Sequence, residues 1–136
     1  MSAKSHVTAV SVSAPYLVNL DDHTGHQWRS DEPRSAGGAD QGPNPHQLLL
    51  SSFGACTAIT LRMYAASKGW ALTGVEVDLE FNPDGDPPQG GNDIRRRIAL
   101  RGELTGEQRQ RLLEIAERCP IHKVLTGEVR IASSLI

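Results

Sequence analysis

Large aromatic side chains are scarce in this chain of 136 residues: Phe, Tyr and Trp together make up 4% of it, and all hydrophobic types 38%. A chain of this length can bury a core, but this one has few bulky side chains with which to fill it. Packing against a second copy of the chain would supply the missing apolar contacts. The composition therefore favours a single domain over residues 1–136 that assembles into a homo-oligomer.

The sequence also lacks an excess of positive charge and a long apolar run. It has 14 Lys and Arg against 16 Asp and Glu, for a formal net charge of -2, which argues against electrostatic nucleic-acid binding. No apolar stretch approaches the ~18 consecutive residues of a membrane span. Polar residues interrupt the N-terminus, so no signal peptide is predicted. We expect a soluble protein of the cytoplasm that binds neither nucleic acid nor membranes.

Cysteine is rare as well, with only Cys56 and Cys119 in the chain. Two cysteines in a reducing compartment seldom form a permanent bridge and are more often free thiols or a catalytic redox couple. These two are too far apart in sequence for a local Cys-x-x-Cys motif. A zinc site that includes His46 or His122 is disfavoured, because the spacing does not match that of zinc-binding motifs. No metal site is therefore predicted.

What the chain does contain is an alternating pattern of strands and helices. Short stretches rich in Val, Ala and Ser predict three strands, and a Gly-, Pro- and Asp-rich loop over residues 30–43 is expected to be exposed. The order of three strands, long helix, two strands, helix and strand predicts an α+β domain with a mostly antiparallel sheet. The predicted strands are residues 6–13, 16–21, 26–30, 75–81, 94–101 and 127–133.

Capping signals mark the start of both helices. Asn44 and Gln47 have the spacing of a capping box before a helix that runs to about Gly69. Thr105 and Gln108 have the same spacing before the second helix. The first helix carries apolar residues on almost every face, so we expect it to be buried on all sides, which one small domain alone does poorly.

Both cysteines are expected to face the core, one from each helix. Cys119 continues the apolar stripe of the second helix in its last turn, which Pro120 ends. Cys56 lies midway along the first helix near Ala55 and Ala58, whose small side chains leave space beside its sulfur. Free cysteines in cores usually behave as small hydrophobes. From the pattern alone, the pair is either inert packing or a reactive couple.

The strands over 75–81 and 94–101 divide their arginines between two faces. Acidic residues alternate with apolar ones in the first strand, so Arg95 and Arg97 can pair with them across an antiparallel ladder. Arg96 falls on the apolar face, where a charge is costly unless it is paired. Either Arg96 reaches a thiolate of the partner subunit, or a bulge turns it outward.

Two stretches together resemble the OsmC/Ohr family of thiol-dependent peroxidases. They are GPNPHQLLLSSFGACTAITLRMYA, residues 42–65, and CPIHKVLTGEVRI, residues 119–131. The shared features are the proline-containing junction before the long helix, the small-residue run that ends in cysteine, and the late Cys-Pro before a final strand. The predicted order of elements fits the family along nearly the whole chain.

The resemblance implies an OsmC-like α+β fold and an intertwined homodimer, in which sheets from both chains wrap long central helices and the active sites lie where the subunits meet. Cys56 matches the peroxidatic cysteine of the family, and Cys119 matches the resolving cysteine that closes a disulfide with it. Substrates in the family are organic or fatty-acid hydroperoxides and, in some members, hydrogen peroxide. No haem, flavin or metal is involved, and an external dithiol, dihydrolipoamide in some members, regenerates the enzyme.

The activating cation is where this chain departs from the family. Members use an arginine of the N-terminal sheet region, which a glutamate at the start of the long helix holds in place. Arg29 is the first candidate for that arginine, but His46 stands where the glutamate is expected. Arg96 is the second candidate, and we expect one of the two to lower the pKa of Cys56. The alternative to an enzyme is a redox-responsive or small-ligand-binding dimer with poised cysteines.

Overall fold

The first part of the chain forms a three-stranded antiparallel sheet in the order β1-β2-β3. The computed structural model describes residues 4–12 and 15–136, so Ser13, the predicted end of the first strand, lies outside the described residues. All three predicted strands are present within the described residues, each shorter than its hydrophobic stretch. They are β1 (Thr8–Ser11), β2 (Val18–Asp21) and β3 (Gln27–Ser30).

The loop over residues 30–43 is more ordered than its composition predicts. Asp31 is 2% exposed, and its carboxylate is the common acceptor for several backbone N–H groups, which offsets the cost of burying the charge. A 3-10 turn, Arg34–Ala36, follows it. The prediction of an exposed loop is therefore wrong at its N-terminal end. The donors to Asp31 are the amides of Glu32, Ala39 and Gln41 at 2.8, 3.2 and 3.1 Å.

The long helix α1 spans Pro45–Lys68, close to its predicted bounds. Its capping box is confirmed: the Gln47 N–H donates to Asn44 Oδ1 at 2.8 Å, and the Asn44 N–H donates to Gln47 Oε1 at 2.9 Å. The chain leaves the helix at Gly69, whose φ of 67° lies in the left-handed region that favours glycine.

Within this single chain, α1 buries one face rather than all of them. The buried residues recur every four positions, at Phe53, Thr57, Leu61 and Ala65. Ile59 and Met63 lie on another face and remain 54% and 70% exposed. The expectation that the helix is buried on all sides is therefore not met by one chain.

The compact unit from Leu50 to the C-terminus is built around α1 and an antiparallel two-stranded sheet. The strands are β4 (Ala71–Phe81) and β5 (Ile94–Glu103), with an irregularity between Leu72 and Gly74. The predicted ladder of charges is present on the outer face. Its ion pairs join Arg95 to Glu80, Arg97 to Asp78 and Arg101 to Glu76.

Two glycines permit close approaches in this unit. A Cβ on Gly54 of α1 would lie 2.8 Å from Leu79 Cδ1 of β4, so the small-residue run allows the helix to pack tightly on the sheet. Gly102 of β5 has a φ of 129°, and a Cβ there would collide with the carbonyl oxygen of Ala71. Both contacts fix how the elements around β4 fit together.

The helix α2 spans Gly106–Ala116 and begins with the predicted capping box of Thr105 and Gln108. It completes the core of this unit, because its apolar face packs on α1 and β4. The buried members of this core are Leu61, Ala65, Leu72, Leu112, Ile115 and Ala116.

The structure after α2 differs from the prediction. The helix ends at Ala116, three residues before Cys119, and a further helix, α3 (Pro120–Thr126), begins at the proline that was expected only to end α2. Proline suits the first position of a helix, because its fixed φ is helical and its missing N–H is not needed there. The predicted strand over 127–133 is wrong for this chain: residues 128–136 are exposed and have no regular structure.

Among the described residues, α1 is the one helix that is long and apolar enough to cross a membrane, judged by length and composition alone. The core helices of water-soluble proteins have the same properties. Because α1 contributes Leu61 and Ala65 to the core, it is a core element of this fold.

Candidate active site

The two cysteines, distant in sequence, lie next to each other in the second unit. Cys56 is half-buried in α1, and Cys119 is fully buried in the turn between α2 and α3. Neither forms a disulfide, and the two side chains are hydrogen-bonded to each other. The expectation that folding brings the two sulfurs together therefore agrees with the geometry.

The surroundings of Cys56 act on its pKa in opposite directions. Burial raises the pKa most strongly, and the hydrogen bond to Cys119 raises it further. The backbone N–H of Ile121 and the hydroxyl of Thr60 donate to the Cys56 sulfur and lower the pKa. The net direction is upward, so Cys56 needs an additional cation to become a thiolate near neutral pH.

Cys119 has a structural role besides its closeness to Cys56. It is the N-cap residue of α3, and its sulfur accepts the backbone N–H of His122 at 3.4 Å. Its relative exposure is 0%, whereas part of Cys56 is exposed. Of the two cysteines, therefore, Cys56 is the more exposed to solvent in this chain.

Arg96 points inward, as the strand alternation predicts, and a bulge does not turn it outward. One Nη donates to Thr57 Oγ1 at 3.1 Å and to the carbonyl of Ala116 at 3.3 Å. The guanidinium carbon lies 4.5 Å from the centroid of the Phe53 ring, at cation–π distance. These contacts hold the guanidinium between α1 and the end of α2.

The charge of Arg96 has no carboxylate partner among the described ion pairs. Burial lowers its pKa, and attraction to Cys119, then Glu117, then Cys56 opposes that effect. This attraction is mutual, so a charged Arg96 favours the thiolate of Cys56. Arg96 is therefore a partly buried cation that attracts two thiols as well as Glu117, and such perturbed charged groups cluster at functional sites.

His122 completes the group, although from the sequence it was considered only as a disfavoured zinc ligand. Its Nδ1 lies 3.4 Å from an Nη of Arg96, and its ring centroid lies 5.9 Å from that of Phe53. The signal that could have indicated it is Pro120: a helix that starts there puts His122 in its first turn, beside Cys119. Thr57, which accepts from Arg96, was also missed.

A cavity of about 370 Å³ adjoins this group. Arg96, His122 and Asn92 supply its polar wall, and the apolar wall comes from β5 and all three helices. Neither cysteine lines the cavity. A larger cavity of about 510 Å³ lies against the three-stranded sheet and is lined by neither Arg96 nor His122, so the smaller one is the cavity that adjoins this group. The apolar residues of the smaller cavity are Phe53, Ile94, Leu113 and Leu125.

The other candidate residues lie in the first compact unit, which ends at Leu49. Arg29 is exposed on β3, and its guanidinium donates to Gln41 Oε1 of the same unit at 3.3 Å. His46 is exposed in the first turn of α1. Among the described residues, no group of three His, Cys, Asp or Glu side chains could hold a metal ion.

Comparison with known proteins gives this arrangement a context. The family model described as "OsmC-like protein" matches residues 37–134, which is most of the chain. No curated protein matches this chain. Among solved structures, an OsmC-like protein from Mycoplasma pneumoniae is similar, with a TM-score of 0.74 and 21% identity, over 93% of this chain and 90% of that one.

Two further solved structures have the same fold. One is an organic hydroperoxide resistance protein from Legionella pneumophila, with a TM-score of 0.70 and 20% identity over 92% of this chain and 90% of that chain. The other is an OsmC-like protein of unknown function from Vibrio cholerae, with a TM-score of 0.72 and 10% identity over 93% and 96% of the two chains. The likeness extends over nearly the whole α+β fold.

Proposed function

Because the chain belongs to the OsmC family, whose model covers most of its length, we propose that it is a thiol-dependent reductase of organic hydroperoxides. Cys56 is the peroxidatic cysteine in this proposal, and Cys119 is the resolving cysteine. The name of the Legionella relative, an organic hydroperoxide resistance protein, supports this substrate class. Hydrogen peroxide is an alternative substrate of the same chemistry.

The observation that carries the proposal is the grouping of two thiols with one guanidinium that forms no ion pair among the described residues, although Glu117 also attracts its charge. A structural cysteine needs no cation, and a structural arginine is usually paired with an acid. Here Arg96 is held by neutral acceptors, Thr57 and the Ala116 carbonyl, and its charge remains available to the sulfurs. We therefore assign the activation of Cys56 to Arg96 rather than to Arg29.

In the first step, the Cys56 thiolate attacks the terminal oxygen of the hydroperoxide. A sulfur–oxygen bond forms, the oxygen–oxygen bond breaks, and the electron pair leaves with the alkoxide, which takes a proton from water. Cys56 is thereby oxidised to a sulfenic acid. Its partial exposure admits the peroxide, whereas the full burial of Cys119 excludes it.

In the second step, the Cys119 sulfur attacks the sulfenic sulfur, and a disulfide and water are formed. The hydrogen bond between the two sulfurs already brings them close. An external dithiol, of which dihydrolipoamide is one example, then reduces the disulfide and restores both thiols. The cycle needs no metal or organic cofactor, and a reducing compartment such as the cytoplasm would keep the resting thiols reduced.

We also propose that the working form is a homodimer in which α1 packs against its counterpart. Besides Ile59 and Met63, the exposed positions Ser52, Ala55 and Ala66 lie along the part of α1 that one chain leaves uncovered. Small residues beside apolar ones allow two helices to approach closely. A second copy would bury this surface.

The test is to count turnovers. Reduced protein is mixed with cumene hydroperoxide or hydrogen peroxide and excess dithiol, and the peroxide consumed per subunit is measured. The wild type should consume many equivalents, and Cys56→Ser should consume none above background. When the dithiol is left out, Cys119→Ser should complete the first oxidation and then accumulate a sulfenic acid, which dimedone labelling and mass spectrometry detect, because the resolving thiol of the chain is missing.

A redox-responsive protein without turnover is the second candidate, and the raised pKa of Cys56 favours it. A thiol that is mostly protonated reacts slowly with peroxides. Consumption of about one equivalent per subunit, unaffected by added dithiol, would support this candidate and contradict the reductase.

A further inference from the structure

The hydrogen bond between Arg96 and His122 bears on the tautomer of the imidazole. A guanidinium has only donors, so the His122 Nδ1 at 3.4 Å from its Nη must be the acceptor. The neutral ring then carries its proton on Nε2. A doubly protonated ring would have no lone pair for Arg96 and would place a second cation beside it. This contact therefore favours the tautomer of His122 with an N–H donor at Nε2.

The ring also forms part of the cavity wall beside the thiol group. His122 and Arg96 are both lining residues of the cavity of about 370 Å³, and most of the remaining wall is apolar. A cavity of this kind fits the organic part of a hydroperoxide, with polar groups at one end for its oxygens. The backbone of His122 is fixed in the first turn of α3 by its bond to the Cys119 sulfur.

We propose that the Nε2–H of His122 is a catalytic hydrogen-bond donor to the leaving oxygen of the hydroperoxide, a role that rests on the proposed reductase function. As the Cys56 thiolate bonds to the terminal oxygen and the oxygen–oxygen bond breaks, negative charge develops on the oxygen attached to carbon. A neutral imidazole can stabilise that charge by donating a hydrogen bond without giving up its proton. Water supplies the proton that converts the alkoxide to the alcohol.

This role makes a distinct prediction about the leaving group. An alkyl hydroperoxide releases an alkoxide, which concentrates the charge on one oxygen. A peracid releases a carboxylate, which spreads the charge over two oxygens and needs a donor much less. Loss of the Nε2–H should therefore slow the reaction with an alkyl hydroperoxide far more than the reaction with a peracid.

The experiment measures the rate constant for oxidation of Cys56 in a single turnover with cumene hydroperoxide and with perbenzoic acid. His122→Asn places an acceptor near the position of Nδ1, which keeps the partner of Arg96, but lacks the group at Nε2. His122→Gln is the matched variant, because its amide can donate from the position of Nε2. In His122→Asn the rate constant should fall about 100-fold with cumene hydroperoxide and much less with perbenzoic acid. His122→Gln should recover part of the lost rate.

The possible outcomes separate the two proposals. Equal losses with both peroxides in His122→Asn, or no loss with either, would overturn the role of His122 and leave the reductase intact. A wild type that reacts with neither peroxide would overturn both proposals. The thiolate absorbance of Cys56 is followed in each variant. If a shift in the thiolate titration of Cys56 fully explains the loss with cumene hydroperoxide, His122 acts by positioning Arg96. That result would overturn the proposed role of its Nε2–H.

Discussion

Arg96 is the residue on which the electrostatics of the site depend. It brings a positive charge to a partly buried position and bonds there to neutral acceptors only, the Thr57 hydroxyl, the Ala116 carbonyl and the His122 Nδ1. The resemblance implies a glutamate that holds the activating arginine in place. His46 stands at the position of that glutamate in this chain. Under the proposal that Arg96 activates Cys56, its neutral anchors would replace that glutamate.

Removal of the Arg96 charge should move the titration of Cys56 to higher pH. Burial and the bond to Cys119 raise this pKa, while a nearby cation such as Arg96, which attracts Cys56, lowers it by favouring the anion. Arg96→Gln removes the cation that opposes the effects of burial and of the bond to Cys119. The pKa of Cys56 should therefore rise by about one unit or more. The thiolate absorbance as a function of pH is the measurement, and the rate of reaction with peroxide should follow the same curve.

Two further variants test which arginine sets the thiolate titration of Cys56. Arg96→Lys keeps the charge but loses the planar fork that bonds Thr57 and Ala116, so its curve should lie between those of the wild type and Arg96→Gln. Arg29→Gln should leave the titration in place if Arg96 is the activating residue. A curve that moves only in Arg29→Gln would assign the activation to Arg29 instead.

The elements of the second unit are fixed by a few close contacts rather than by a large core. At Gly102 the chain of β5 has a backbone conformation that disfavours other residues, and the Ala71 carbonyl occupies the space of a side chain. This contact joins the end of β5 to the start of β4, just before α2 begins. The register of the two strands, and with it the inward direction of Arg96, depends on this end of the sheet.

A methyl group at Gly102 should destabilise the fold. Gly102→Ala adds both the strain of a positive φ and a clash with the Ala71 backbone, so we expect a loss of about 2 to 4 kcal/mol in the free energy of unfolding. Gly106→Ala is the matched control: it lies at the start of α2, where a Cβ meets nothing within 4 Å. It should be neutral or stabilise by about 0.5 kcal/mol. Urea denaturation compares the two, and equal stabilities would contradict the argument.

At this scale, the strand alternation and the apolar stripe of the second helix were enough to predict much of the candidate site. The period of two over residues 94–101 put Arg96 on the inner face, and the stripe of the second helix put Cys119 inside, although α2 itself stops at Ala116. The pattern could not reveal α3, because Pro120 signals the end of one helix and the start of another equally well. His122 was missed for the same reason.

At the scale of the whole molecule, the scarcity of large apolar side chains is accompanied by incomplete burial of α1 in one chain. One chain leaves Ile59 and Met63 of α1 more than half exposed, and the residues after Gly127 have no regular structure. A strand needs a neighbouring strand to pair with, and the sequence pattern over 127–133 cannot tell whether its neighbour belongs to the same chain. Sequence periodicity identifies a strand-forming segment but not its partner.

The exposed part of α1 allows a test of assembly. Met63→Asp places a charge at a position that is 70% exposed in one chain, so it should not affect the folding of a monomer. If α1 packs against a second copy, the buried charge should dissociate the dimer. Light scattering after gel filtration should give the mass of two chains for the wild type and of one chain for the variant.

The control for this test is Gln110→Asp, which adds the same charge at an exposed position of α2. It should leave the mass unchanged. A wild type with the mass of a single chain, or a Met63→Asp variant with an unchanged mass, would contradict packing through this face.

The bond from the His122 amide to the Cys119 sulfur also provides a built-in spectroscopic reporter. Because a thiolate, a thiol and a disulfide sulfur attract an amide proton to different extents, the nitrogen and proton resonances of that one amide should change with each state of the cysteine pair. In an isotope-labelled sample, a single cross-peak would then follow the reaction cycle in real time without a dye, a trapping agent or a substitution.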